Sequence, residues 1–224
     1  MHAEWTAECG ADAPMLVVPW SDSPPELGPG SRSDAPSVAK DSVRFINLRE
    51  EPYAIADIPE AERYPDLGRA IRALNANRSP FLTAKCDAWP LSARDSAQEL
   101  EAIRRELMLD EEEAAFAFTG YIDILWRERA IFASAHQQQD RLDRLVRRAA
   151  KLPHPESMLQ CVLRPAMVDL GATLEGFATT LYVTSLGSDA ETASNRWGRA
   201  LEDVVELLRS REFEVNRTSA TIDV

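Results

Sequence analysis

Two apolar runs, Leu159 to Val168 and Leu174 to Ser185, are joined through Asp169-Leu170-Gly171-Ala172, with Thr173 the one residue left between them. A connection this short joins antiparallel strands; parallel ones need a crossover of a dozen residues or more. The pair reads as a hairpin, and it ties the chain to a mostly antiparallel sheet. Other periodic segments extend the pattern. In Ala114 to Trp126 the residues Phe116, Phe118, Ile122, Ile124 and Trp126 fall on one face of a strand. Val43 to Leu48 reads as a short strand, Phe81 to Trp89 as another, and Phe213 to Val224 as a last one.

Helices alternate with these strands. A helical stretch starts at Asp57-Ile58-Pro59, is interrupted by Pro65, and resumes with Leu67, Ile71 and Leu74 on one face. Ser92-Ala93-Arg94-Asp95 is a capping-box pattern for a helix through about Leu107. Residues 133 to 151 form a helix that ends before Pro153. Ser188-Asp189-Ala190-Glu191 opens a long helix with Ala193, Trp197, Leu201, Val204, Val205 and Leu208 as its stripe. The order β-α-β-α-β-β-α-β, preceded by a short strand and a helix, predicts an α+β fold. It would have a mostly antiparallel sheet of four to six strands with helices packed mainly on one face, and is partly ferredoxin-like in element order.

Residues 1–42 differ in kind. They hold six of the fourteen prolines and a net charge of −5, from seven acids against two bases. A segment such as Pro19 to Ser37 buries too little apolar surface to offset the entropy of ordering it. The division expected is therefore a Pro/Ser/Gly-rich acidic tail over 1–42, flexible or partner-docking, and a single domain over 43–224. Met15, Leu16, Val17, Val18 and Trp20 form an apolar island within the tail, the element suited to docking on a partner or on the protein's own body.

Charge narrows the function classes. A formal net charge of −12 disfavours nucleic-acid backbones. No apolar run approaches the roughly 18 residues of a membrane-spanning helix, and no secretory signal is legible, so a cytoplasmic protein without a membrane partner is expected. Cys9, Cys86 and Cys161 are an odd, widely spaced set suited to a reducing compartment. With only His2, His136 and His154 besides, no metal-ligand spacing arises. Nucleotide cradles and a hydrolase elbow lack their motifs too, and no cofactor is expected.

The stretch Arg78 to Pro90 places a lysine, a cysteine and an aspartate side by side. Regular alternation puts Leu82, Ala84, Cys86 and Ala88 on one side, which reads Cys86 as a small core residue. A catalytic Cys86 would need a base, for which His154 is the better-placed histidine by sequence. Lys85 and Asp87 share the other side, about 7 Å apart at the rise of a strand. Asp123 interrupts an apolar run, and Arg164 falls inside Val162-Leu163-Arg164-Pro165. Together Lys85, Asp87, Asp123 and Arg164 are either cross-strand ion pairs on a solvated face or the polar lining of a ligand site. Pro165 marks an edge or a bulge, where a second strand adds on. Arg141, Arg144, Arg148 and Lys151 make one basic helix face, read as solvated.

Two functions are compatible with these features. The first is a cytosolic, non-catalytic accessory protein that self-associates or docks on a larger protein assembly. The second is a small enzyme or small-molecule-binding domain that uses the charged sheet face.

Overall fold

The computed structural model describes residues 1–18, 46–91, 97–112, 114–169 and 172–213. In chain order, β1 (His2–Ala7) and β2 (Leu16–Val18) precede a 3₁₀ turn (Pro52–Asp57), α1 (Pro59–Arg63) and α2 (Pro65–Leu74). Then come β3 (Phe81–Leu91), α3 (Ala97–Leu107), β4 (Phe116–Trp126), α4 (Arg129–Phe132) and α5 (Ala135–Ala149). The hairpin β5 (Ser157–Asp169) and β6 (Thr173–Gly187), α6 (Ala190–Leu208) and a 3₁₀ turn (Arg211–Phe213) complete the described chain. The fold is α+β, with six strands in one mostly antiparallel sheet. Among the described residues no helix is long and apolar enough to cross a membrane.

The spatial order is β1-β5-β6-β4-β3, with β2 also paired to β5. The hairpin runs in unbroken register from Ser157↔Ser185 to Asp169↔Thr173. The apolar alternation of β4 then decides which face the helices take. Phe118 packs at 4.8 Å between ring centroids against Trp197 of α6, and Trp126 lies under the Arg141 guanidinium of α5, 4.6 Å from the ring centroid. Arg141 is thus spent on a cation–π contact and is not part of a purely solvated basic face. Gly120 is required on this side, because a Cβ there would lie 2.7 Å from Trp197 Cζ2. The Trp197 indole N–H donates to the Val183 carbonyl at 3.0 Å, which seats the ring on the sheet.

Local chemistry explains the helix starts. Pro59 and Pro65 occupy the first helical positions of α1 and α2, where a missing N–H costs nothing. Asp189, in extended conformation, is the N-cap of α6 and accepts the Thr192 N–H at 2.7 Å, so the cap lies one residue after Ser188. The capping-box pattern at Ser92–Asp95 and the last strand over 214–224 lie outside the described residues. So do 43–45 of the first expected strand; of that segment, 46–48 carry no strand.

The N-terminal residues are arranged differently from the division at residue 42. β1 pairs in parallel with β5 from His2↔Met158 to Ala7↔Leu163, and β2 resumes the same edge from Leu16↔Ala166 to Val18↔Val168. The interruption falls at Pro165. Glu8 N–H donates to the Leu163 carbonyl at 2.8 Å, so that residue, and by alternation residue 165, present their backbone to this edge. Pro165 has no N–H to offer there. One added strand is therefore broken into two, with residues 8–15 looping past the proline. Side chains hold the arm as well, since the Trp5 indole donates to Asp143 of α5 at 2.7 Å and the Met1 ammonium to the Leu152 carbonyl at 2.9 Å. Compositional bias hides this docking, because the nine described residues of β1 and β2 sit beside the Pro-rich stretch.

Candidate functional site

β3 contains a bulge that shifts its faces. Thr83 pairs with Ile124 and Cys86 with Ile122, so Ala84 and Lys85 together oppose Asp123. Before the bulge Phe81 and Thr83 face the helices, where Asn75, the C-cap of α2, exchanges hydrogen bonds with Thr83. After it, Cys86 and Ala88 take that side. Strict alternation through Lys85 is thus broken, although Cys86 keeps its core-facing place. Its thiol is pushed up to about 12, chiefly by burial and further by the carboxylates of Glu60, Asp87 and Asp123. A thiol in that state is an inert packing group.

The second sheet face carries α3 at one end, where Leu100 and Ile103 pack with Leu91, Ala117, Met158 and Leu186. At the other end Phe132 of α4 sits against Gly176. Between them run two cross-strand rows. One is Asp87, Tyr121, Tyr182, Gln160 and Glu4; the next is Lys85, Asp123, Thr180, Val162 and Thr6. Arg164 stands one step beyond, on β5.

Asp123 is the centre of this region. It is 4% exposed, and its carboxylate accepts a hydrogen bond from the Thr180 hydroxyl, itself 1% exposed. Burial pushes its acidity toward the protonated form, against the pull of Thr180, Arg164 and Lys85. Lys85 is correspondingly lowered, first by burial and then by Arg164, with Asp123 opposing. The Arg164 guanidinium is 3.8 Å from Glu8, while its Nε is buried without a hydrogen-bond partner. Tyr121 is raised to about 12 by burial and by Asp123 and Asp87 beside it.

Of the four residues singled out from sequence, the structure brings Lys85, Asp123 and Arg164 into one electrostatic cluster. Asp87 lies a row away, next to Tyr121, with its carboxylate accepting the Ala88 N–H at 2.7 Å. Thr180, Tyr121 and Tyr182 complete the surface. They were within reach of the sequence, since alternation along β4 and β6 places them opposite Ile122, Ile124, Leu181 and Val183. Glu4 and Glu8 were not, because they belong to the arm.

The docking island is used internally. Leu16 is 4% and Val18 2% exposed within the sheet, Val17 is half-buried, and Met15 is 52% exposed; Trp20 lies outside the described residues. His154 does not meet Cys86, for its Nε2 is 2.7 Å from Asp203 of α6. Among the described residues no group of three or more His, Cys, Asp or Glu side chains is placed to hold a metal ion.

A cleft of about 480 Å³ opens beside the cluster, between α3 and the sheet. Trp89, Tyr182, Thr119 and Thr184 form much of its floor, with Ile103 and Glu106 among the residues on the α3 side. Comparison with protein families, characterised proteins and solved structures gave no match for this chain.

Proposed function

We propose that this chain is a non-catalytic binding protein that holds a small polar ligand on the second face of its sheet, with Asp123, Lys85 and Arg164 in contact with it. One observation carries the reading. A nearly buried carboxylate lies within electrostatic reach of two cations on the side of the sheet away from α2, α5 and α6. Burying such charges is costly for folding alone, and replacing them with apolar residues is commonly neutral or stabilising. Perturbed groups of this kind, one cross-strand row from a cleft, support a ligand site. Binding is favoured over chemistry because the sheet thiols Cys86 and Cys161 are both pushed up by burial and His154 is engaged with Asp203. A cytoplasmic setting belongs to the same proposal, since Cys9, Cys86 and Cys161 are all free. The island that motivated partner docking supports this choice too, as Leu16 and Val18 are buried in the chain's own core.

The test is a thermal-shift screen of polar metabolites against the parent protein, Lys85→Ala and Arg164→Ala. A ligand present at a hundred times its Kd stabilises by about 2.7 kcal/mol, which raises Tm by roughly 5–10 °C in a chain of this size. The expected result is a hit whose shift disappears in both variants while each remains folded by circular dichroism. If either substitution unfolds the protein, or a hit survives both, the three residues are structural ion partners and the proposal fails.

A further inference from the structure

We infer that the cleft between α3 and the sheet takes an organic cation with a flat apolar body; this goes beyond the proposed binding face, whose Lys85, Asp123 and Arg164 are not among the residues lining the cleft. The cleft is a cavity of about 480 Å³, within the range that holds small organic ligands. Its floor presents the Trp89 and Tyr182 rings, and Tyr121 extends the aromatic surface, 6.2 Å from Trp89 and 5.8 Å from Tyr182 between ring centroids. Ring faces attract cations and stack on flat apolar groups.

The polar groups select the sign of charge. Among the described residues lining the cleft there is no lysine or arginine, whereas Glu4, Glu99 and Glu106 are all present. Glu4 is oriented by the Gln160 amide, which donates to its Oε1 at 2.7 Å. His2 stands at the rim, 3.4 Å from Glu106 and 3.9 Å from Glu4, and bridges the arm to α3. The two floor hydroxyls Thr119 and Thr184 lie 2.7 Å apart and satisfy one another, so this pair makes no demand for a polar ligand group. Carboxylates at the rim and aromatic rings beneath fit an ammonium or amidinium tethered to an apolar body, and they repel a carboxylate or phosphate. Glu4 reaches the cleft only because β1 is docked on β5, so the N-terminal arm supplies part of the wall.

The experiment compares three probes of one shape and different charge: 2-phenylethylammonium, 2-phenylethanol and 3-phenylpropanoate. Binding is followed by the indole N–H signals of the ¹⁵N-labelled full chain. The ammonium compound is expected to move the Trp89 indole signal and leave that of Trp197, which is bonded to Val183 in the core, in place. The alcohol and the carboxylate should bind at least roughly tenfold more weakly. Glu99→Gln with Glu106→Gln, both exposed positions, should weaken the ammonium by roughly fivefold without altering the Trp197 signal. Equal response to all three probes overturns the inference, as does an unmoved Trp89 signal at concentrations up to about 10 mM. An unchanged affinity in the double variant overturns it as well. Retention of a ligand through Asp123 and Arg164 is read separately, in the Lys85→Ala and Arg164→Ala proteins, so failure of the cleft and failure of the face are distinguishable.

Discussion

Cys86 stands between a lysine and an aspartate, and its reactivity separates a packing thiol from a nucleophile. With its thiol at about 12, only about one molecule in ten thousand carries the thiolate at pH 8. A free cysteine near 8.5 is about one-quarter ionised there, a difference of roughly 2,000-fold. Part of that is returned, because a more basic thiolate is a better nucleophile. With a Brønsted slope of about 0.45 the 3.5-unit difference restores roughly 40-fold. The net expectation is alkylation of Cys86 about 60-fold slower than glutathione at pH 8, before any further slowing from its packing against α1. Iodoacetamide labelling of the native protein, quenched over time and read by peptide mass spectrometry, measures this. Cys86 labelling at the rate of glutathione or faster would show a thiolate stabilised by its surroundings. That would refute both the assignment of Cys86 to the core side and the non-catalytic reading.

Three further outcomes follow from the same geometry. Asp123→Asn should stabilise the fold near neutral pH, on the order of 1 kcal/mol, while removing ligand binding. The sign follows from burial: the folded carboxyl titrates above its unfolded value, so its ionised form costs stability at high pH and that cost fades as pH falls toward about 4. Urea unfolding of both proteins between pH 4 and 8 should therefore show a gain that shrinks on acidification; a gain that grows on acidification contradicts the account. Leu16→Ala should cost about 2 kcal/mol and expose the β5 edge, seen as faster hydrogen exchange at the amides of residues 2–7, 159–164 and 166–168. Gly120→Ala should cost about 1–3 kcal/mol by driving a methyl into Trp197 and the Asp87 carbonyl, and lower Tm accordingly; an unchanged Tm would mean the close approach is relieved at no cost.

What the sequence disclosed was the part governed by local period. The Phe118-to-Trp126 alternation, the antiparallel pairing of β5 with β6 and the stripe of α6 each follow from residue spacing, and each is present in the fold. The core-facing place of Cys86 was legible for the same reason. The bulge at Ala84 and Lys85 was not, because neither residue type marks an extra backbone step and the cause lies in pairing with β4. Docking of the island on the protein's own body was among the sequence readings, but the strand pairing of the arm was not legible, for a different reason. β1 and β2 gain their stability from a parallel partner more than 140 residues away in sequence, and no local pattern in a Pro-rich stretch reports that. Pro165 was the one available clue. It was legible as a mark of an edge, yet the chain that fills the edge on either side of it is its own N-terminus. The cluster itself was half visible: charged residues inside apolar strands flag it, while the three-dimensional neighbours Thr180 and Tyr121 come from register.

Native mass spectrometry of the full chain, purified gently from its source cells beside an Asp123→Asn counterpart, tests the central claim most directly. The account predicts a small bound mass on the parent protein that is absent from the Asp123→Asn protein, with both remaining folded. A stoichiometric protein partner in place of that small mass, or a small mass retained equally by both proteins, would contradict it.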